Sequence, residues 1–193
     1  MKIVLGGSRH LDVIPTIIIK ILDNMMSQEC SFFVGDAKGS DVAFQEYLFK
    51  RKYSQTKVFT SMSEPRNNLG GWSYEVIGGN LKSKSHAMHA FKDREMCKRA
   101  DAGIMNWDST SAGTLSNVID LANQGKKCDV WIAQKRELLS VIDENFLNIF
   151  LAEYDTVAIE ATRRLSTFRK REERNRLLQP EFSLFSEDGT SLN

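Results

Sequence analysis

The sequence has no excess of either charge sign, because its 26 basic residues nearly balance its 25 acidic ones. A chain without such an excess does not require nucleic acid, a membrane surface or a polyanionic substrate as its partner, and any of these would have to use a local patch. No apolar run approaches membrane-spanning length, and the first residues lack the segments of a signal peptide. The sequence therefore predicts a cytoplasmic protein without membrane contact.

Cysteine is also scarce. Cys30, Cys97 and Cys128 are an odd number at wide spacings, which excludes a disulfide framework and predicts reduced thiols that act as small core residues. No CxxC pair is present, and the three histidines form no cluster of ligands with the cysteines. We therefore predict no metal site.

The order of short apolar runs and amphipathic stretches predicts the fold. A chain of 193 residues can bury one full core and carry an extension. Strands are predicted at residues 3–5, 32–34, 57–59, 103–107 and 128–132, with helical patterns between most of them. Parallel strands need helical crossovers, so residues 1–133 are predicted to form an α/β domain with a doubly wound, parallel, five-stranded sheet.

Residues 134–178 are predicted to form a helical arm. The stretch from 135 to 178 has no glycine or proline, and an apolar stripe recurs at steps of three and four residues: Leu138, Ile142, Phe146, Ile149, Phe150, Tyr154, Val157, Ala161, Leu165 and Phe168. The stripe favours assembly as a homo-oligomer, and a helix that completes the monomer is the alternative. The basic end, residues 163–176, is typical of a solvated face, with nucleic acid as the alternative partner.

The last segment, residues 179–193, is predicted to be a flexible tail around one apolar run at 182–185. Residues 181–185 resemble the short peptide by which many bacterial and phage proteins bind the replicative sliding clamp, although the first position departs from the usual glutamine. The alternative is a tail that packs its two phenylalanines on its own domain or on a neighbour.

Loops rich in glycine and hydroxyl groups follow three of the predicted strands. They are Gly6-Gly7-Ser8-Arg9, Gly35-Asp36-Ala37-Lys38-Gly39-Ser40-Asp41 and Asp108-Ser109-Thr110-Ser111-Ala112-Gly113-Thr114. The carboxyl ends of parallel strands meet at one edge of a sheet, where ligands bind at the point of strand-order reversal. Backbone N–H groups and hydroxyls at a helix start stabilise phosphate. The pattern therefore predicts a nucleotide-like ligand.

Further candidate residues come from the segment 61–85 and from the fourth predicted strand. If this segment is a lid, the Arg66 guanidinium can pair with a phosphate and the Trp72 indole can stack on a base. The alternative is a solvated loop with Trp72 packed on the domain. Trp107 is expected to form an aromatic wall at the mouth of the crevice. The predicted ligand-binding residues are Gly6, Gly7, Ser8, Arg9, Gly35, Asp36, Ala37, Gly39, Ser40, Asp41, Arg66, Asn67, Lys92, Asp93, Trp107, Asp108, Ser109, Ser111, Gly113 and Thr114.

Residues 1–132 resemble the SLOG superfamily of Rossmann-like nucleotide-binding domains, which includes the LOG phosphoribohydrolases and the DprA-type proteins. The match is carried by the three loops and by Lys92-Asp93-Arg94-Glu95-Met96. The chain looks similar to the small bacterial and phage members. The resemblance implies that a nucleotide or nucleotide-derived signal binds here, with Gly113 and Thr114 at its phosphate and Lys92 or Asp93 beside its ribose.

The chain departs from the LOG enzymes at two positions. Asn117 stands where their glutamate stabilises a cationic transition state, and Lys92 is at best the match for their arginine. LOG-type hydrolysis is therefore disfavoured, and the first hypothesis is a protein that senses or sequesters a nucleotide signal, with phage or bacterial defence as a context. An N-glycosidase or deoxyribosyltransferase-like enzyme with Asp93 as its catalytic carboxylate is the second hypothesis. The third is an adaptor in DNA metabolism that uses the basic arm and the tail.

Overall fold

The computed structural model describes residues 1–78 and 86–178, and it describes no side chain at 86–88, 144 and 167–178. The predicted tail at 179–193, with its clamp-like motif, lies outside this range, as do the side chains of most of the basic run at 163–176.

Seven strands in the described part of the chain form one sheet. They are β1 Lys2–Gly7, β2 Ser31–Val34, β3 Thr56–Thr60, β4 Tyr74–Val76, β5 Ala102–Trp107, β6 Cys128–Ile132 and β7 Glu137–Val141. Their order is β4-β3-β2-β1-β5-β6-β7, and every neighbouring pair is parallel except β6 and β7. The predicted α/β, Rossmann-like architecture is confirmed, and its five predicted strands correspond to β1, β2, β3, β5 and β6.

Within the described residues, six helices flank the sheet. They are α1 Thr16–Ser27, α2 Ser40–Lys50, α3 His86–Arg99, α4 Ala112–Asn123, α5 Glu144–Ala152 and α6 Asp155–Leu178. Two begin at side-chain caps: Ser111 Oγ accepts a hydrogen bond from the backbone N–H of Thr114 at 3.4 Å, and an Asp143 oxygen accepts one from the N–H of Phe146 at 2.8 Å. Such caps satisfy N–H groups that have no partner within the helix.

The strands β4 and β7 are the two that the sequence pattern did not predict. β4 is three residues long and lies in the segment without periodicity, whereas β7 lies in the stretch predicted to be helical from residue 135. The chain turns back at Arg136, just before β7, and Arg136 has a positive φ of 54°. β7 then pairs antiparallel with β6, so that Leu139 lies opposite Val130. A short apolar run fits strand and helix equally well, and this pairing decides between them.

Each face of the sheet carries its own hydrophobic core. Along β1, Val4 belongs to the core under α3, α4, α5 and α6, while Ile3 and Leu5 belong to the core under α1 and α2. Neighbouring residues on a strand point to opposite faces, which explains this alternation. The cysteines are buried within the two cores, as predicted.

The apolar stripe of the C-terminal segment packs mainly on the chain itself. Phe150, Ala161 and Leu165 are buried in the core that α4 forms with the sheet. Ile142 and Ile149 are exposed, and the side chain of Phe168 lies outside the described part. The stripe therefore helps to complete the monomer, and assembly into a homo-oligomer stays a prediction. None of the described helices is long and apolar enough to cross a membrane.

Candidate functional site

A cleft of about 490 Å³ opens at the carboxyl edge of the sheet, where β1 lies between β2 and β5. Strand order reverses at this point, which is where open α/β sheets bind their ligands. The loops after β1, β2 and β5 meet here. The predicted residues that line the cleft are Gly6, Gly7, Arg9, Gly35, Ala37, Asp41, Arg66, Lys92, Asp93, Asp108, Ser111, Gly113 and Thr114.

Other predicted residues lie behind the cleft and hold its loops together. The carbonyl oxygen of Ser8 accepts hydrogen bonds from the N–H of Ser40 at 3.2 Å and from its hydroxyl at 3.0 Å. Ser8 Oγ accepts one from the N–H of Asp108 at 3.1 Å. Gly39 has a φ of 81°, and a β-carbon there would lie 2.5 Å from backbone atoms of Arg9. These residues support the cleft without lining it.

The prediction that Trp107 forms an aromatic wall at the mouth of the cleft is wrong. Its indole is fully buried, lies 4.7 Å from the Tyr154 ring between centroids, and donates a hydrogen bond from Nε1 to the carbonyl oxygen of Ser111 at 3.0 Å. The packing of α5 and α6 draws the side chain into the core. Ser109 is buried too, has a positive φ of 68° and does not line the cleft.

Trp72 packs back on the domain, as the alternative interpretation of its segment predicted. Its Nε1 donates a hydrogen bond to the carbonyl oxygen of Tyr53 at 2.9 Å, and its ring contacts the core under α1 and α2. Asn67 also has a structural contact, because its side-chain amide donates to the carbonyl oxygen of Asp36 at 2.9 Å. Of this segment, Arg66 lines the cleft.

A fully buried carboxylate, Asp36, organises the floor beneath the cleft. Arg66 binds it through both ends of the guanidinium, with Nη2 2.7 Å from Oδ1 and Nε 3.1 Å from Oδ2. Thr60 donates a hydrogen bond to Oδ2 at 2.8 Å, and Lys92 Nζ lies 3.7 Å from Oδ1. Burial raises the pKa of Asp36, but Arg66, Lys92 and Thr60 outweigh it and hold this pKa well below its usual range.

Lys92 is buried among three carboxylates. Its Nζ lies 3.4 Å from Asp93 Oδ1, and it would lie 2.7 Å from a β-carbon placed on Gly35. Burial alone would lower the pKa of Lys92, but Asp93, Asp41 and Asp36 outweigh it and raise this pKa. Lys92 therefore stays protonated and holds Asp93 at the cleft, where the Asp93 side chain is 31% exposed. Lys92 and Asp93 of α3 therefore form part of the cleft and its support, and not only a solvated helix surface.

Asp41 makes the stability of the fold depend on pH. Burial raises the pKa of Asp41 to about 6, against the opposing attraction of Lys92. The folded state then binds more protons than the unfolded state between about pH 4 and 6, so Asp41 contributes less stability as the pH rises through this window. We expect the stability of Asp41→Asn, relative to that of the wild type, to increase by about 2 kcal/mol when the pH is raised from 4.5 to 7.5.

Urea unfolding of both proteins at the two pH values measures this difference. The control is Glu46→Gln, which removes an exposed carboxylate from the same helix. If Asp41→Asn and the wild type differ by the same amount at both pH values, Asp41 does not titrate as described.

The amino end of α4 forms the other side of the cleft. Oδ1 of Asp108 accepts hydrogen bonds from the N–H groups of Thr110 at 2.9 Å and Ser111 at 2.7 Å. Burial raises the pKa of Asp108, but these bonds outweigh it and lower this pKa. Thr114 Oγ1 donates to Ser111 Oγ at 3.1 Å. The loop thus holds hydroxyls, N–H groups and Gly113 at a helix start, where a phosphate is stabilised.

Asn117 faces the cleft one turn into α4. Its Oδ1 accepts a hydrogen bond from Arg94 Nη2, and Arg94 also donates to the carbonyl oxygen of Ser116 at 3.0 Å and lies 3.3 Å from Asp120. The Asn117 side chain is an uncharged amide, and it is hydrogen-bonded to the buried guanidinium of Arg94. An amide at this position supplies no negative charge to the cleft.

Several cleft residues were missed by sequence reasoning: His10, His89, Glu160 and Arg164. Nδ1 of His89 lies 2.8 Å from Ser61 Oγ. Burial and the nearby cations Arg66 and Lys92 lower the pKa of His89, which favours its neutral form. His10 directly follows the first predicted loop, whereas no local motif marks His89, Glu160 and Arg164, which α3 and α6 bring to the cleft.

No protein-family model, curated protein or solved structure that was compared with the chain matches it. Within the part of the chain that the structure describes, no group of three or more histidine, cysteine or carboxylate side chains is placed to hold a metal ion.

Proposed function

We propose that this protein binds a nucleotide or a nucleotide-derived signal in the cleft and acts as a sensor or as a protein that sequesters the signal. The observation that carries the proposal is the amino end of α4, where Ser111, Gly113 and Thr114 line the cleft together with Arg9 and Arg164. Helix N–H groups, hydroxyls and guanidinium groups are the partners that phosphate prefers in proteins.

The opposite side of the cleft suits a sugar. Asp41 and Asp93 line it and provide acceptors for ribose hydroxyls. A nucleotide would place its phosphate at α4 and its ribose toward α3. The resemblance of the loops to the SLOG superfamily supports the same orientation.

A second candidate is an enzyme that cleaves or exchanges an N-glycosidic bond. It is favoured by Asp93, whose partly exposed carboxylate lies on the cleft and is ion-paired with Lys92. A carboxylate beside the anomeric carbon can act as a nucleophile or can stabilise positive charge on the sugar. Asp41 and Asp108 would then be accessory carboxylates.

A nucleotide panel tests both candidates. The wild type is mixed with nucleosides, their 5′-mono-, di- and triphosphates, cyclic nucleotides and dinucleotides, while thermal shift reports binding and chromatography reports free base. We expect stabilisation by phosphorylated members without release of base. Arg9→Gln should weaken binding about tenfold, since a charge-assisted hydrogen bond is lost.

The matched control is Arg51→Gln, which removes an exposed guanidinium that pairs with Asp23 at 3.1 Å and does not line the cleft. Base release that Asp93→Asn abolishes, with the melting temperature unchanged, would establish the enzyme instead. Failure of every panel member to stabilise the wild type would contradict nucleotide binding in either form.

A further inference from the structure

The C-terminal helix α6 brings a guanidinium to the amino end of α4. A β-carbon placed on Gly113 would lie 3.4 Å from Arg164 Nη1. The backbone around Arg164 is held in place because Ala161 and Leu165 on the same helix are buried in the core with α4. Arg164 therefore reaches the phosphate side of the cleft from a fixed position, although it lies 50 residues beyond Thr114 in the chain.

Arg164 has an acidic neighbour that also lines the cleft. Its Nε donates a hydrogen bond to Glu160 Oε1 at 3.0 Å, and the two side chains are 45% and 37% exposed. Arg163 binds the same carboxylate, with Nε 2.8 Å from Oε2, but it does not line the cleft. Hydrogen bonds from Arg163 and Arg164 lower the pKa of Glu160 to about 2, which keeps Glu160 ionised at neutral pH.

We propose that Arg164 binds the phosphate of the ligand and that Glu160 competes with this phosphate for the guanidinium. This inference rests on the proposed function and adds a contact that none of the three loops contains. Because Arg163 remains a second partner for Glu160, the carboxylate keeps one ion pair when Arg164 turns to a phosphate. The pair would thus favour a ligand whose phosphate carries more than one negative charge over an uncharged nucleoside.

Calorimetry with the full chain tests the inference. The probes are the four ribonucleoside 5′-monophosphates and triphosphates and the parent nucleosides. We expect Arg164→Gln to weaken binding of the phosphorylated probes about tenfold, and Glu160→Gln to strengthen it about threefold. Neither change should alter binding of a nucleoside. Arg51→Gln is the matched control, because this exposed guanidinium pairs with Asp23 and does not line the cleft, and its affinity for phosphorylated probes should stay within about twofold of the wild type.

The outcomes separate the inference from the proposed function. If the wild type binds phosphorylated probes and Arg164→Gln binds them equally well, Arg164 is not a phosphate contact, although the proposed function stands. Equal weakening by Arg51→Gln and Arg164→Gln would indicate a general effect of positive charge and would overturn the inference too. If the wild type binds none of these probes, the inference fails, whereas the proposed function fails only if every member of the wider nucleotide panel also fails to bind. Circular dichroism melts of each variant show whether the fold is kept.

Discussion

Replacing Asp36 with asparagine is expected to lower the free energy of unfolding by about 3 kcal/mol, because the change leaves buried positive charge without its partner. Asp36 is fully buried and accepts hydrogen bonds from the side chains of Arg66 and Thr60. Lys92, itself buried, also lies within ion-pair distance. An amide keeps the shape of the side chain but carries no charge to offset the two cations.

The measurement is urea unfolding at pH 7, with Glu153→Gln as the matched control. Glu153 forms an exposed ion pair with Lys135, and the loss of such a pair costs about 1 kcal/mol or less. The folded-state pKa of Asp36 is lowered, so its contribution is present above about pH 4 and is lost as the pH falls below that value. A loss of stability no larger than that of Glu153→Gln would show that Asp36 does not organise the floor of the cleft.

Replacing Gly7 with alanine is expected to cost about 3 kcal/mol, because the new methyl group has no space at the point where β1 meets β5. A β-carbon at Gly7 would lie 2.3 Å from the carbonyl oxygen of Asn106 and 2.6 Å from Ser40 Oγ. The first of these atoms is backbone and cannot turn aside. Relief requires the loops after β1 and β5 to separate, which would widen the cleft.

The adjacent glycine provides the control. A β-carbon at Gly6 would lie 3.3 Å from Met105 Sδ, and the flexible thioether can move by a few tenths of an ångström. We expect Gly6→Ala to cost about 1 kcal/mol or less, as measured by the same urea unfolding. If Gly6→Ala and Gly7→Ala lose similar amounts of stability, the close approach of the two loops is not the reason that position 7 requires glycine.

The strands that sequence reasoning found are those with strong local signals. Residues 3–5 and 32–34 are short apolar runs, each followed by a loop that contains glycine. Once these runs are recognised as parallel strands, topology alone brings Gly6, Gly35 and Ser111 to one edge of the sheet. The place of the cleft could therefore be predicted from the sequence.

The partners of individual side chains could not be predicted in this way. Asp36 was predicted to bind the ligand, but its carboxylate instead pairs with Arg66, which lies thirty residues away in the chain. Trp107 ends its strand beside the cleft, and the packing of α5 and α6 decides that its ring is buried. Arg164 looked like part of a basic surface. Each outcome depends on contacts between distant elements, which no local pattern encodes.

The ring cluster of Trp107, Phe150 and Tyr154 has a practical consequence for work with shortened proteins. A protein ending at residue 133 would lack α5 and α6, so the indole and the inner face of α4 would be exposed to water. The same indole holds the carbonyl of Ser111. Truncation would thus favour aggregation and loosen the rim of the cleft at once, which makes a shortened protein a poor substitute in ligand screening.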